Sequence, residues 1–156
     1  MRRPLLAMLA LGLGFALTGA ADSADDARSL AVKLTTTGAQ MFDARDAKGL
    51  ALTYAEDARL EIITRDRDTR ELKTETRVGR NEIQSYYQEH FKSAGDIHCR
   101  NTVDHARLLD ASLLSISGTF EPNTQTAESI KLPFIQVRSR QGDHWQIISL
   151  QLFVTL

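Results

Sequence analysis

This sequence of 156 residues is poor in cysteine and has no large excess of either charge. The single cysteine, Cys99, excludes an internal disulfide and a zinc site built from several cysteines. Lysine and arginine number 19 against 20 aspartates and glutamates, so the chain lacks the basic surplus of proteins that bind nucleic acid. A hydrophobic content of 42% argues against wholesale disorder. These values describe one ordinary globular domain.

Motifs that hold metals or cofactors are also lacking. The four histidines are His90, His98, His105 and His144, and no two of them are spaced as His-x-His or His-x-x-x-His. No phosphate-binding loop, serine nucleophile elbow or internal repeat is present. The sequence therefore predicts neither a metal site nor a cofactor.

One long apolar run stands at the N terminus. Met1–Arg3 is basic, Leu5–Leu17 is apolar, and the next four residues are small. This order is typical of a secretory signal peptide, and the run is shorter than the roughly 20 residues of a membrane-spanning helix. We expect cleavage after Ala20 or Ala21, no stable membrane anchor, and export to the periplasm or the medium. Residues 22–156 then form a single domain.

Two helices are predicted in the first third of the chain. Small and apolar residues recur every three or four positions from Ser23 to about Arg45, which indicates an amphipathic helix that begins at Ser23 or a nearby aspartate. Asp46 is a good N-cap for a second, shorter helix. Its predicted buried face carries Ala47, Leu50, Ala51 and Tyr54.

A third helix follows Gly79 and ends near Gly95. One face of this helix carries two tyrosines and a histidine among its apolar residues, at helical spacing. The residues on this face are Ile83, Tyr86, Tyr87, His90 and Phe91. Such a face is either ordinary core with polar tips that find partners, or the wall of a pocket.

The remaining segments predict strands. A strand at Arg59–Thr64 leads into Arg65–Arg77, whose mixed charges favour a solvated hairpin or loop. Short connections between the later strands imply an antiparallel meander. These later strands are His98–Leu109, Leu113–Phe120, Ile130–Arg140 and His144–Thr155. The order of elements predicts an α+β domain with helices packed on one face of a curved sheet.

The last strand is apolar on both sides. Alternation places Ile148, Leu150, Leu152 and Val154 on one face, and Trp145, Ile147, Ser149, Gln151 and Phe153 on the other. Both faces are too apolar for open water. We expect helices to cover one face and a second subunit to cover the other, which makes a homodimer through the sheet.

Four short motifs in this order resemble the nuclear-transport-factor-2-like superfamily and, within it, the SnoaL-like group of small bacterial domains. Together they extend over nearly the whole chain after the signal peptide. The motifs are Phe42–Leu50, Tyr54–Ala58, Val78–Ile83 and Gly142–Ile147.

This resemblance implies a cone-shaped, cystatin-like domain, commonly dimeric, whose sheet wraps around the helices and leaves a pocket. Proteins of this fold include polyketide cyclases, steroid isomerases and dehydratases, as well as interaction modules. The enzymes use an Asp or an Asp/His pair beside Tyr or Trp donors around a carbonyl group. Many carry a histidine near the end of the last strand, where this chain has Gln151. Glutamine cannot titrate, so this departure weakens the case for proton transfer from that wall.

Asp104 and His105 are the candidate catalytic bases. They are adjacent in a strand, so alternation points them to opposite faces and allows one of them to enter the pocket. The pattern leaves open which one enters, and a surface carboxylate and a structural sheet histidine are the alternatives for the two residues. His90 is a further candidate base.

Two functions remain open. The first is a pocket for a small, mostly apolar carbonyl compound, either as a binding site or as a cofactor-free isomerase, cyclase or dehydratase. The predicted ligand-binding residues are Tyr54, Tyr87, His90, Gln136 and Gln151. The second is a non-catalytic dimeric interaction or ligand-carrier module. Cys99 is expected to be a buried free thiol.

Overall fold

The computed structural model describes residues 19–93, 97–124 and 130–155. The predicted signal sequence up to residue 18 and the helix terminator Gly95 lie outside these ranges. These ranges contain three helices and six strands. They are α1 (Gly19–Asp43), α2 (Ala47–Leu52), β1 (Tyr54–Arg65), β2 (Leu72–Val78), α3 (Arg80–Ser93), β3 (Ile97–Leu108), β4 (Leu113–Thr124), β5 (Leu132–Gln141) and β6 (His144–Thr155).

The six strands form one curved, open sheet in the order β2-β1-β6-β5-β4-β3. The predicted α+β class and the β3–β6 meander are confirmed. Of the two alternatives for Arg65–Arg77, hairpin or loop, the structure has the hairpin, since β1 and β2 pair antiparallel. One pairing differs from an antiparallel sheet, because β1 and β6 run parallel. These two strands are far apart in the sequence, so no tight turn requires them to be antiparallel. Their pairing joins the hairpin to the meander.

The first two helices begin and end close to the predicted residues. Asp46 caps α2, and its Oδ1 accepts a hydrogen bond from the Gly49 amide at 2.8 Å. The predicted cap of α1 at Ser23 or a nearby aspartate is wrong, since these residues lie within the helix, which is described from Gly19 onward. The placement of Tyr54 on α2 is also wrong. Thr53 caps α2, and its carbonyl accepts from Ile147 of β6 at 2.8 Å, so the chain enters the sheet at Tyr54.

Gly79 turns the chain from β2 into α3. Its φ of +85° lies in the left-handed region, which favours glycine. The amide of Gly79 donates to the Ala58 carbonyl at 2.8 Å, and its own carbonyl accepts from Ile83 in the first turn of α3. The predicted start of the third helix after Gly79 is therefore confirmed, and the turn holds that start against β1.

β-Bulges in β3 and β6 determine which side chains of these two strands face the helices. The face of the sheet that contacts the helices is termed the inner face, and the opposite one the outer face. In β3, Val103 pairs with Gly118 and His105 pairs with Ser117, so Asp104 is the extra residue. In β6 an extra residue likewise separates Ile147 from Ser149. Each bulge reverses the faces of the residues that follow it.

The bulge in β6 corrects the predicted faces of that strand. Ile147 is 4% exposed and lies on the inner face, although alternation assigned it to the other side from Leu150 and Leu152. The predicted alternation of side chains between the two faces holds for β6 only after the bulge. The extra residue shifts the register with β5, so the residues before the bulge lie on the face opposite to the predicted one. Trp145, two residues before Ile147, also packs on the inner face.

Two apolar clusters form the core. One joins α1 to β3, β4 and β5 and contains Ala31, Val103, Ile116 and Phe134. The other joins α2 and α3 to β1 and β6 and contains Leu50, Tyr54, Leu60, Ile83, Tyr87, Phe91 and Ile147. Members of both clusters line a cavity on the inner face. Among the described residues, no helix has the length and apolar character needed to cross a membrane.

Candidate ligand-binding cavity

A cavity of about 390 Å³ lies between the three helices and the inner face of the sheet. Apolar side chains make up most of its wall, including Phe42, Leu60, Phe134, Leu150 and Leu152. Polar side chains interrupt this wall, and they are Thr35, Thr53, Tyr54, Tyr86, Tyr87, His90, Asn101, Gln136 and Arg138. An apolar cavity of roughly 300–1,000 Å³ with a few polar groups is typical of a small-molecule site.

Two buried tyrosines from different elements meet in this wall. Tyr54 opens β1 and is 1% exposed, and Tyr87 lies on α3 and is 8% exposed. Their hydroxyl oxygens are 2.8 Å apart. Burial raises the pKa of Tyr87 to about 12, and burial together with the neighbouring Tyr87 raises the pKa of Tyr54 well above its usual value. Both hydroxyls therefore keep their protons at neutral pH, and one proton of the pair is left to donate to a ligand.

Arg138 brings a buried positive charge to the cavity. The residue is 3% exposed. Its Nε donates to Gln136 Oε1 at 2.7 Å, and its Nη1 donates to the Trp145 carbonyl at 3.3 Å. Burial lowers the pKa of Arg138 to about 10, so the guanidinium is still charged at neutral pH. The charge of Arg138 acts on the Tyr54 hydroxyl, where it lowers the pKa against the larger effect of burial.

Gln136 was predicted to bind ligand, whereas the sequence reasoning missed Arg138. Both belong to β5, where Phe134, Gln136 and Arg138 alternate onto the inner face. The same alternation that favoured Gln136 therefore contained the signal for Arg138. Gln136 is 6% exposed, and its Nε2 makes no hydrogen bond within the described part of the chain.

His90 lies in the cavity wall, one turn of α3 after Tyr87. Its ring is 5.6 Å from the ring of Phe42 and 6.2 Å from the ring of Tyr86, measured between centroids. Partial burial lowers the pKa of His90, which favours the neutral imidazole at pH 7. His90 and Tyr86 also line a surface groove between α3 and β2, so they separate this groove from the cavity. The α3 face that the sequence left open is thus core at Ile83 and cavity wall at His90.

The two candidate catalytic residues of β3 lie outside the cavity. Asp104 and His105 are both exposed, and neither lines the cavity. Asp104 is the bulged residue, and its carbonyl accepts from Arg28 Nη1 at 3.1 Å. His105 pairs with Ser117 on the outer face. The expectation that one of the two enters the pocket is wrong, because the bulge takes up the position at which alternation would have turned one of them inward.

Gln151 is on the outer face as well. It pairs with Glu61 of β1 and Ile135 of β5, and its Nε2 donates to Glu61 Oε2 at 2.9 Å. This hydrogen bond is the main reason that the pKa of Glu61 is lowered. The predicted position of Gln151 in the pocket is therefore wrong. Of the five predicted ligand-binding residues, the structure brings together Tyr54, Tyr87, His90 and Gln136.

The chemistry that this cavity offers is mainly hydrogen-bond donation. Its polar wall holds phenols, an amide and a guanidinium, and no carboxylate is among the described lining residues. Within the described ranges, no three histidine, cysteine, aspartate or glutamate side chains are grouped so that they could hold a metal ion. Cys99 is half-buried and does not line the cavity, and burial followed by the charge of Asp43 raises the pKa of its thiol to about 12. The side chains of this wall can therefore hold a ligand oxygen.

The fold of this chain is similar to that of several solved structures. A domain of unknown function with a cystatin-like fold from Nostoc punctiforme superposes with a TM-score of 0.67 at 18% identity, covering 84% of this chain and 78% of that one. An NTF-2-like protein of unknown function from Shewanella oneidensis gives 0.64 at 14% identity, covering 78% and 94%. The chain has an NTF2-like fold.

A third NTF2-like protein of unknown function, from Pseudomonas putida, gives a TM-score of 0.62 at 16% identity and covers 84% of this chain and 88% of its own. No protein-family model matches the sequence, and no curated protein matches it. The likeness to these NTF2-like structures is one of fold, and assignment to the SnoaL-like group stays a prediction.

Proposed function

We propose that this NTF2-like chain binds a small, mainly apolar molecule in its cavity. The observation that carries the proposal is the composition of the wall, in which an apolar surface surrounds the hydroxyls of Tyr54 and Tyr87 and the side chains of Gln136 and Arg138. Buried polar groups in folded proteins are normally paired. Here part of their hydrogen-bonding capacity faces the cavity, where a ligand oxygen would complete it.

Binding is favoured over proton-transfer catalysis. The buried tyrosines stay protonated, and the described lining residues include no carboxylate. A cofactor-free isomerase, cyclase or dehydratase is the second candidate, because the neutral imidazole of His90 lies in the wall and can accept a proton. In that case the tyrosine pair and Arg138 would stabilise the charge that develops on a carbonyl oxygen.

Gly38 offers a way to test the cavity directly. It lies in α1, lines the cavity, and has no atom within 4 Å of the position that a Cβ would occupy. A leucine there would extend into the cavity, whereas an alanine would add one methyl group. Gly38→Leu is therefore the blocking variant, and Gly38→Ala is its matched control.

The experiment is native mass spectrometry of the protein purified from its own periplasm. We expect the wild type and Gly38→Ala to carry an additional small mass that is lost on denaturation, and Gly38→Leu to lack it. A wild type with no retained molecule, whose cavity also takes up no apolar probe such as 4-phenylbutanamide in calorimetry, would sink the binding proposal. The same preparation reports on export, since a mature chain that begins at residue 21 or 22 supports the proposed periplasmic or secreted location.

A further inference from the structure

We infer that the polar end of the ligand is a carboxylate, held by Arg138 together with Gln136 and the hydroxyl pair of Tyr54 and Tyr87. This inference rests on the proposed function and specifies the class of molecule that the cavity takes. It comes from the balance of charge and of hydrogen-bond donors at one end of the cavity.

The charge of Arg138 has no protein counter-ion among the described residues. Its side chain is almost fully buried, yet it forms no salt bridge with any carboxylate there. Exposed arginines of the same chain do have such partners, as in the contacts of Arg59 with Glu61 at 2.9 Å and of Arg100 with Glu121 at 2.6 Å. Buried charges are normally paired, since removing them from water is costly. A bound anion would supply the missing partner of Arg138.

The two hydrogen bonds of Arg138 orient it for such a partner. Nε is committed to Gln136 and Nη1 to the Trp145 carbonyl, which together hold the plane of the guanidinium. Its Nη2 has no hydrogen bond to any described residue. A purely structural role accounts for the first two contacts and leaves both the charge and Nη2 without a partner.

The remaining polar groups around Arg138 can each donate a hydrogen bond to a ligand. Gln136 uses its carbonyl oxygen to accept from Arg138, which leaves its amide nitrogen as a donor. The hydroxyl pair of Tyr54 and Tyr87 has one proton that their mutual hydrogen bond does not use. A carboxylate has two oxygens that accept several hydrogen bonds, whereas an amide or ketone has one. Several donors and one positive charge therefore match a carboxylate better than a neutral carbonyl.

The body of the ligand follows from the rest of the wall. Beyond these polar groups the cavity is lined by side chains such as Phe42, Leu60, Phe134 and Leu152. An alkanoate or arylalkanoate of medium size combines an apolar body with one terminal carboxylate. Carboxylic acids are ionised above about pH 4, where Arg138 is charged, so both partners carry their charges at neutral pH.

Matched acid and amide pairs test the inference by calorimetry with the purified full-length protein. The probes are octanoate with octanamide, and 4-phenylbutyrate with 4-phenylbutanamide. We expect at least one acid to bind at least 10-fold more tightly than its amide. Arg138→Gln should abolish this preference and Arg138→Lys should retain part of it. Arg140→Gln removes an exposed positive charge from the same strand and should leave the preference unchanged.

A second measurement needs no variant, so it remains decisive where Arg138→Gln fails to fold. In 4-phenylbutyrate labelled with ¹³C at the carboxyl carbon, we expect the bound carboxyl group to titrate at least one pH unit below the free acid. The carboxylate assignment is overturned if each acid binds no better than its amide, or if the bound carboxyl group titrates at or above the pH of the free acid. Binding of the amides would still support the proposed function. If neither acids nor amides bind, the carboxylate assignment falls, and the proposed function falls with it when the native protein also retains no molecule.

Discussion

At the scale of single residues, the contact between Tyr54 and Tyr87 joins β1 to α3 in the wall of the cavity. The two residues lie 33 positions apart in the chain, and burial leaves each hydroxyl dependent on the other for a hydrogen bond. A buried hydroxyl that loses its partner costs more than a pair that is removed together. The energetics of this pair can therefore be separated from the packing of its rings.

Tyr54→Phe and Tyr87→Phe should each lower the free energy of unfolding by about 1–2 kcal/mol, because each leaves a buried hydroxyl without a partner. The double variant should lose clearly less than the sum, with a coupling energy of about 1 kcal/mol in urea denaturation. Tyr86→Phe, combined with Tyr54→Phe, is the control and should be additive, since the Tyr86 hydroxyl makes no hydrogen bond within the described ranges. Additive losses for the Tyr54 and Tyr87 variants would contradict this account.

His90 predicts a pH dependence of stability. Its pKa is lower in the folded protein than its usual value, so the unfolded chain binds a proton more readily. This contribution to stability is present above the unfolded pKa near 6.5 and is lost as the pH falls below it toward the folded pKa. We expect the free energy of unfolding, followed by denaturation from pH 7 to pH 5, to fall more for the wild type than for His90→Asn. Equal slopes for the two proteins would refute the prediction.

At the scale of elements, β4 and α1 contain two glycines in opposite surroundings. At Gly118 in β4 a Cβ would lie 2.0 Å from the Thr102 carbonyl oxygen and 3.0 Å from the Phe134 ring. The absence of a side chain there lets the Phe134 ring pack against the inner face beside β3. At Gly38 in α1 the corresponding position is open to the cavity.

Gly118→Ala should therefore destabilise the protein by about 1–3 kcal/mol through overpacking. Gly38→Ala makes the same chemical change in a helix with space around it, and should stabilise by up to about 1 kcal/mol through helix propensity. Thermal denaturation of both variants beside the wild type gives the comparison. Similar effects of the two substitutions would show that the contacts at Gly118 do not limit the packing of β4.

At the scale of the whole molecule, the outer face of the sheet is the surface proposed for dimerisation. Ile135 of β5 is 44% exposed there, and Phe153 of β6 pairs with Ile63 of β1 on the same face. Exposed apolar side chains grouped on one face of a sheet are typical of a protein–protein contact. The cavity lies on the opposite face, so a dimer formed in this way leaves the cavity walls as they are.

Sedimentation velocity at micromolar concentration should show a homodimer for the wild type. Ile135→Glu should convert it to a monomer, because a charge would be buried at the interface. Leu72→Glu changes an apolar residue that is 63% exposed on the edge strand β2 and should remain dimeric. A wild type that sediments as a monomer would exclude this interface.

The sequence by itself determined the helices, most strands and part of the cavity. The Asp46 cap, the start of α3 after Gly79 and the shared helical face of Tyr87 and His90 all depend on residues a few positions apart. Alternation in β5 likewise brought Gln136 to the inner face. These features follow from local geometry, which a single sequence records directly.

Only the tertiary structure decided which residues face the cavity beyond a bulge and which partners meet across the fold. The bulge at Asp104 left both it and His105 outside, and the register of β6 with β1 brought Gln151 to Glu61. Register and bulges depend on pairing between distant strands, and a shift of one residue exchanges the two faces. The tertiary structure was likewise needed to connect Arg138 with an anionic ligand, because only the structure shows that no carboxylate among the described residues pairs with its charge.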